Sequence, residues 1–73
     1  SYDSIGELAL QIDQIINEHK KVDWHKNLEI HKRIEQDLDD LLYQFFEEHH
    51  IDLDFDTIDK IIEQVKTVAI KRY

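Results

Sequence analysis

The residues best suited to chemistry lie in one stretch, Asp52-Leu53-Asp54-Phe55-Asp56-Thr57-Ile58-Asp59-Lys60-Ile61-Ile62-Glu63. Its acids occupy the first, third, fifth and twelfth positions of a calcium-binding helix-loop-helix, where carboxylate oxygens surround a hard cation. Three residues oppose that reading. The sharp turn of such a loop needs Gly where Thr57 stands, and an apolar side chain where Asp59 stands. The apolar stripe of a helix also begins at Ile58, inside the supposed loop. The same acids fit a helix start, with Asp54 as N-cap and Leu53 and Ile58 spaced for a hydrophobic staple. Calcium at Asp52–Glu63 is therefore the minor alternative.

Five histidines raise the question of a transition metal. The di-iron bundle motif, Glu-x-x-His, occurs once, in Glu47-Glu48-His49-His50, whereas that chemistry uses it on two helices with Glu from two more. His25 and His31 are spaced wrongly for one helical face. These imidazoles read as solvated or edge-of-core groups. The chain has no Cys, which removes thiolate zinc sites and Cys nucleophiles. Its one Gly cannot build a phosphate-cradling loop, and no Ser sits in a nucleophile elbow. Ser4 fits a capping box with Glu7, and Thr57 a helix start. No catalytic, cofactor or metal residue is assigned, and no activity is expected of this stretch by itself.

Seventy-three residues allow one domain with a small core. No apolar run approaches the length of a membrane span, and no signal-peptide pattern opens the chain. With Ser1 first and no Met, it reads as a piece of a longer protein. The net charge of −8 is unevenly placed: residues 35–63 hold eleven of the seventeen acids and a single base, Lys60. That acidic middle repels phosphate, so neither nucleic acid nor an anionic membrane is an expected partner. It is either a solvated face or a surface for a basic partner.

Three amphipathic stripes organise these residues. Ile5, Leu8, Ala9, Ile12, Ile15, Ile16 and His19 form one helical face, in a first helix over 4–21. Ile30, Ile34, Leu38, Leu41, Leu42 and Phe45 fall within about 120° of arc on a second, over 27–49. Ile58, Ile61, Ile62, Val65, Val68 and Ala69 face inward from a third, over 55–72. Either Asp23 or Asn27 can cap the second helix, and Asn27 is preferred. Short connectors make neighbouring helices antiparallel. The expectation is an all-α antiparallel three-helix bundle with a core of Ile12, Ile16, Ile34, Leu38, Leu41, Phe45, Ile58, Ile61, Ile62 and Val65. Ile51 and Leu53 should point inward from the second connector. Trp24 either plugs the end of the bundle or anchors a partner. Tyr43 and Phe46 fall outside the stripe, and either widen the core face or form a second, partner-facing ridge.

The landmarks Ile12-Asp13-x-Ile15-Ile16, Val22-Asp23-Trp24-x-x-Asn27 and Leu38-Asp39-Asp40-x-Leu42 are followed by Ile51-x-Leu53, Asp59-x-Ile61-Ile62, Val68-Ala69 and Lys71-Arg72. In this order they resemble the C-terminal helical region of the R (restriction and translocation) subunit of type I restriction–modification enzymes. The resemblance implies a cytoplasmic parent that cleaves DNA after ATP-driven translocation. The ATP, Mg and nuclease motifs of such a subunit lie elsewhere. It also implies a docking role toward the methyltransferase and specificity subunits. Trp24, Asn27, Asp39, Asp40 and Tyr43 are the candidate partner-facing residues. The alternative is a self-associating helical domain that buries Leu10, Tyr43, Phe46 and Ile70.

Overall fold

Two short polar side chains set where two of the three helices begin. In the computed structural model, which describes residues 2–20 and 23–72, the helices are α1 (Tyr2–His19), α2 (Leu28–Glu48) and α3 (Phe55–Arg72). Asn27 Oδ1 accepts from the backbone N–H groups of Glu29 at 3.0 Å and Ile30 at 3.2 Å, satisfying donors that have no partner inside the first turn of α2. Asp54 does the same for α3, accepting from Asp56 N–H at 3.0 Å and Thr57 N–H at 3.4 Å. Ser4 does not cap α1. The helix already runs from Tyr2, which places Ser4 within its first turns.

The other end of α2 closes with a backbone device. His50 N–H reaches Glu47 C=O at 3.3 Å and Ile51 N–H reaches Phe46 C=O at 2.9 Å. This is the Schellman pairing, and it requires His50 to take the left-handed conformation, at φ 55°. Asp23, before the short 3-10 turn Trp24–Lys26, is also left-handed, at φ 63°.

The helices pack as an all-α bundle in which α2 lies against both others. Its buried side chains, Ile34, Leu38, Leu42 and Phe46, recur every fourth residue. Such a row winds slowly around the axis, so it meets α1 and α3 at different heights. Ile58, Ile62 and Ala69 close on it from α3, Ile16 from α1, and Trp24 from the connector. Ile12, Phe45, Ile61 and Val65, expected in the core, are half-buried at its margin, and Leu41, also expected there, is half-buried. Phe46 is core rather than ridge. The off-stripe position of Phe46 is accounted for by this winding row.

Polar ties reinforce both helix pairs. His19 Nε2 lies 2.6 Å from Asp37 Oδ2, joining α1 to α2. The Lys66 ammonium pairs with the Glu35 carboxylate, joining α3 to α2, and lies 3.8 Å from Glu63. α1 and α3 border a shallow apolar groove of about 290 Å³ lined by Ile12, Ile16, Val65 and Val68 among others. The result is a slab of 37 × 24 × 16 Å. None of the described helices is long and apolar enough to cross a membrane.

Candidate functional site: the face shared by α2 and α3

The five residues expected to face a partner separate into two groups. Trp24 is only 5% exposed and belongs to the core. His25 stands edge-on to its ring at 4.5 Å, and the His31 ring lies 5.7 Å away. His31 Nε2 donates to the Trp24 carbonyl at 3.0 Å. Trp24 is thus a plug at the end of the bundle rather than an exposed partner anchor. Its indole N–H finds no acceptor among the described residues. Asn27 is exposed, but its side-chain oxygen is occupied by the cap of α2.

Asp39, Asp40 and Tyr43 remain open on α2. Tyr43 follows Asp39 by one helical turn, so the two share an edge of the helix. Across from them, α3 runs the other way. The Tyr43 and Phe55 rings are 6.4 Å apart. Asp39 and Asp59 line one trough, together with Glu35, Glu63 and Lys32. The two helices therefore face each other as rungs: Glu35 with Glu63, Asp39 with Asp59, Tyr43 with Phe55. Lys66 bridges the first rung internally. Neither the Asp39 nor the Asp59 carboxylate takes part in an ion pair or hydrogen bond among the described residues.

Beyond the aromatic rung the surface becomes apolar. Tyr43, Phe46, Glu47, Ile51 and Leu53 line a depression of about 250 Å³. Ile51 and Leu53 were expected to point inward, yet they are 46% and 38% exposed, beside Tyr43 at 44% and Phe55 at 62%. The cause is the close of α2: the Schellman turn releases the chain at the surface, and the Asp54 cap starts α3 four residues after Ile51, at Phe55. Phe55 and Asp59 belong to this face and were missed as partner-facing residues. The signal that finds them is positional: with the helices antiparallel, residues 35, 39 and 43 meet 63, 59 and 55.

The acids of the calcium-like stretch are used differently from loop ligands. α3 begins at Phe55, inside the stretch, and Asp54 is turned toward its own helix. Thr57 Oγ1 donates to Asp54 Oδ2 at 2.9 Å. That bond, then the Thr57 and Asp56 backbone N–H groups and the nearby Lys60 charge, hold the Asp54 carboxyl below its ordinary value of 3.8. Among the described residues, no group of three or more His, Asp or Glu side chains converges on a point where a metal ion could sit. Four of the five histidines serve packing and pairing instead: His19 with Asp37, His25 and His31 around Trp24, and His49 against Phe45 at 4.3 Å.

No family model, curated protein or solved structure matches the chain.

Proposed function

We propose that this domain is a non-catalytic docking module, and that it serves the R subunit of a type I restriction–modification enzyme by contacting the methyltransferase–specificity complex. One observation carries the docking part. Asp39, Asp40 and Tyr43 stand exposed along one edge of α2, beside exposed Phe55, Ile51 and Leu53. Apolar and aromatic side chains gathered in one patch, rather than scattered singly, are the usual mark of a protein contact. The ordered blocks from Ile12-Asp13 to Lys71-Arg72 support the choice of parent. In that setting the ATP-driven motor and the nuclease belong to other parts of the subunit, and DNA is held by chains other than this acidic domain.

The test is capture of the methyltransferase–specificity complex by the full-length subunit, with and without this segment. Deletion is expected to weaken assembly, and added salt to slow association of the intact subunit. Undiminished assembly after deletion would remove the docking role and leave an end-cap that stabilises its neighbours.

A further inference from the structure

Resting on the docking reading, the chemistry of the occupant can be specified. We infer that the apolar depression lined by Tyr43, Ile51 and Leu53, with the Phe55 ring next to Tyr43 and the Asp39–Asp59 rung beside it, seats a basic protein segment. That segment offers one bulky apolar side chain and one Lys or Arg, about 6 Å apart. The apolar half of the argument is exposure: Tyr43, Ile51 and Leu53 line one depression at the end of the α2–α3 face, and the exposed Phe55 ring stands 6.4 Å from that of Tyr43. The charged half is what surrounds it. Glu47 lines the depression, and Asp52, Asp54 and Asp56 alternate with its apolar residues along the chain. Asp39 and Asp59 lie one turn from the Tyr43–Phe55 rung, one on each helix.

Two carboxylates facing one trough repel each other, and a cation set between them relieves that repulsion. The first rung shows the arrangement made internally, with Lys66 at Glu35 and Glu63. At the second rung neither carboxylate is ion-paired among the described residues, although Lys32 lines the same trough, so a cation from a partner can sit between them. The spacing sets the register. A partner helix presents its cation and apolar anchor at i and i+4, matching Asp39 and Tyr43. A second copy of this chain does not fit, because pairing the same face brings acid against acid at a net charge of −8 per copy. Phosphate-bearing partners are repelled by the same charges.

The probe is an alanine-based helical peptide carrying Arg and Leu at i and i+4, titrated into the 73-residue chain while its amide resonances are followed. Shifts are expected within 39–43 and 51–59. The same peptide with Glu in place of Arg, or Ala in place of Leu, should fail to bind. The double variant Asp39→Asn/Asp59→Asn keeps the fold, because both side chains are exposed and outside the core. It should weaken binding about fivefold to tenfold. Absence of binding, shifts centred on the α1–α3 groove, equal affinity for the Glu peptide or an unchanged affinity in the variant would each overturn the inference. So would a dimer at micromolar concentration whose contacts map to this face. Placed in the full-length subunit, the same double variant separates the two ideas. If deleting the domain weakens assembly but the variant does not, docking stands and this surface is wrong. If the variant weakens peptide binding while deletion leaves assembly intact, the surface stands and the proposed partner complex is wrong.

Discussion

The two ends of α2 are built from similar material and finished in opposite ways. Each adjoins a short connector, carries aromatic residues and lies beside a left-handed residue, Asp23 at one end and His50 at the other. At the first, the chain folds Trp24 under and lays His25 and His31 around it, leaving 5% of its surface exposed. At the second, Phe55 is left 62% exposed, with Tyr43, Ile51 and Leu53 beside it. Residue type does not decide between plug and contact surface. The decision is made by where the backbone leaves the helix, because that fixes whether the next apolar side chain meets the core or the solvent.

The sharpest way to break this contrast is to truncate both aromatics. Trp24→Ala should destabilise the fold by about 3–5 kcal/mol, comparable with its total stability. Phe55→Ala should change it by less than about 0.5 kcal/mol while removing the ring that stands beside Tyr43. Equal losses in denaturant titrations would show that both ends are structural. Next in size is the cap. Asn27→Ala should cost about 1 kcal/mol, and Asn27→Asp should restore most of it, as read by the midpoint of unfolding. At the opposite end the sign reverses. His50→Gly should raise stability by about 0.5–1 kcal/mol, because Gly enters the left-handed region without the clash of a Cβ.

The smallest effect is electrostatic and belongs to Asp54. Its carboxyl titrates below 3.8 in the folded chain, chiefly through the Thr57 hydroxyl. A group whose folded pKa is depressed stabilises the fold at pH above its unfolded value. That contribution disappears as the pH falls through the lower, folded value, so it is lost on the acid side of 3.8. Thr57→Val should move the Asp54 titration upward in a carboxyl-carbon NMR series. An unmoved curve would mean that the hydroxyl is not the main cause.

Much of this was legible in the sequence, for identifiable reasons. Asn27 and Asp54 announced themselves because few residue types cap a helix, and the three stripes followed from the helical period. Phe46 was placed off the stripe because a straight wheel averages over the helix, whereas the buried row 34-38-42-46 winds around it. Ile51 and Leu53 were expected inward on hydrophobicity alone. Their exposure depends on the turn at His50, and His announces a left-handed residue far less clearly than Gly does. Ser4 has the spacing of a capping box, but the helix began earlier. Among the candidate partner-facing residues, Asp39, Asp40 and Tyr43 were found from one helix. Phe55 and Asp59 needed the pairing of two.

The seating of α1 has a consequence for the order in which the molecule opens. Among its described side chains only Ile16 is buried, with Leu8, Ile12 and Ile15 half-buried against the core, whereas Ile5 and Leu10 are largely exposed. α2 contributes four buried residues and α3 three. Fluctuations that lift α1 away therefore expose less apolar surface than those that part α2 from α3. In native-state hydrogen exchange, α1 amides should exchange first, at denaturant concentrations where α2 and α3 remain protected. The α2–α3 hairpin would then persist as a partly folded unit, still presenting the Asp39–Asp59 rung and the Tyr43–Phe55 pair after the first helix has left.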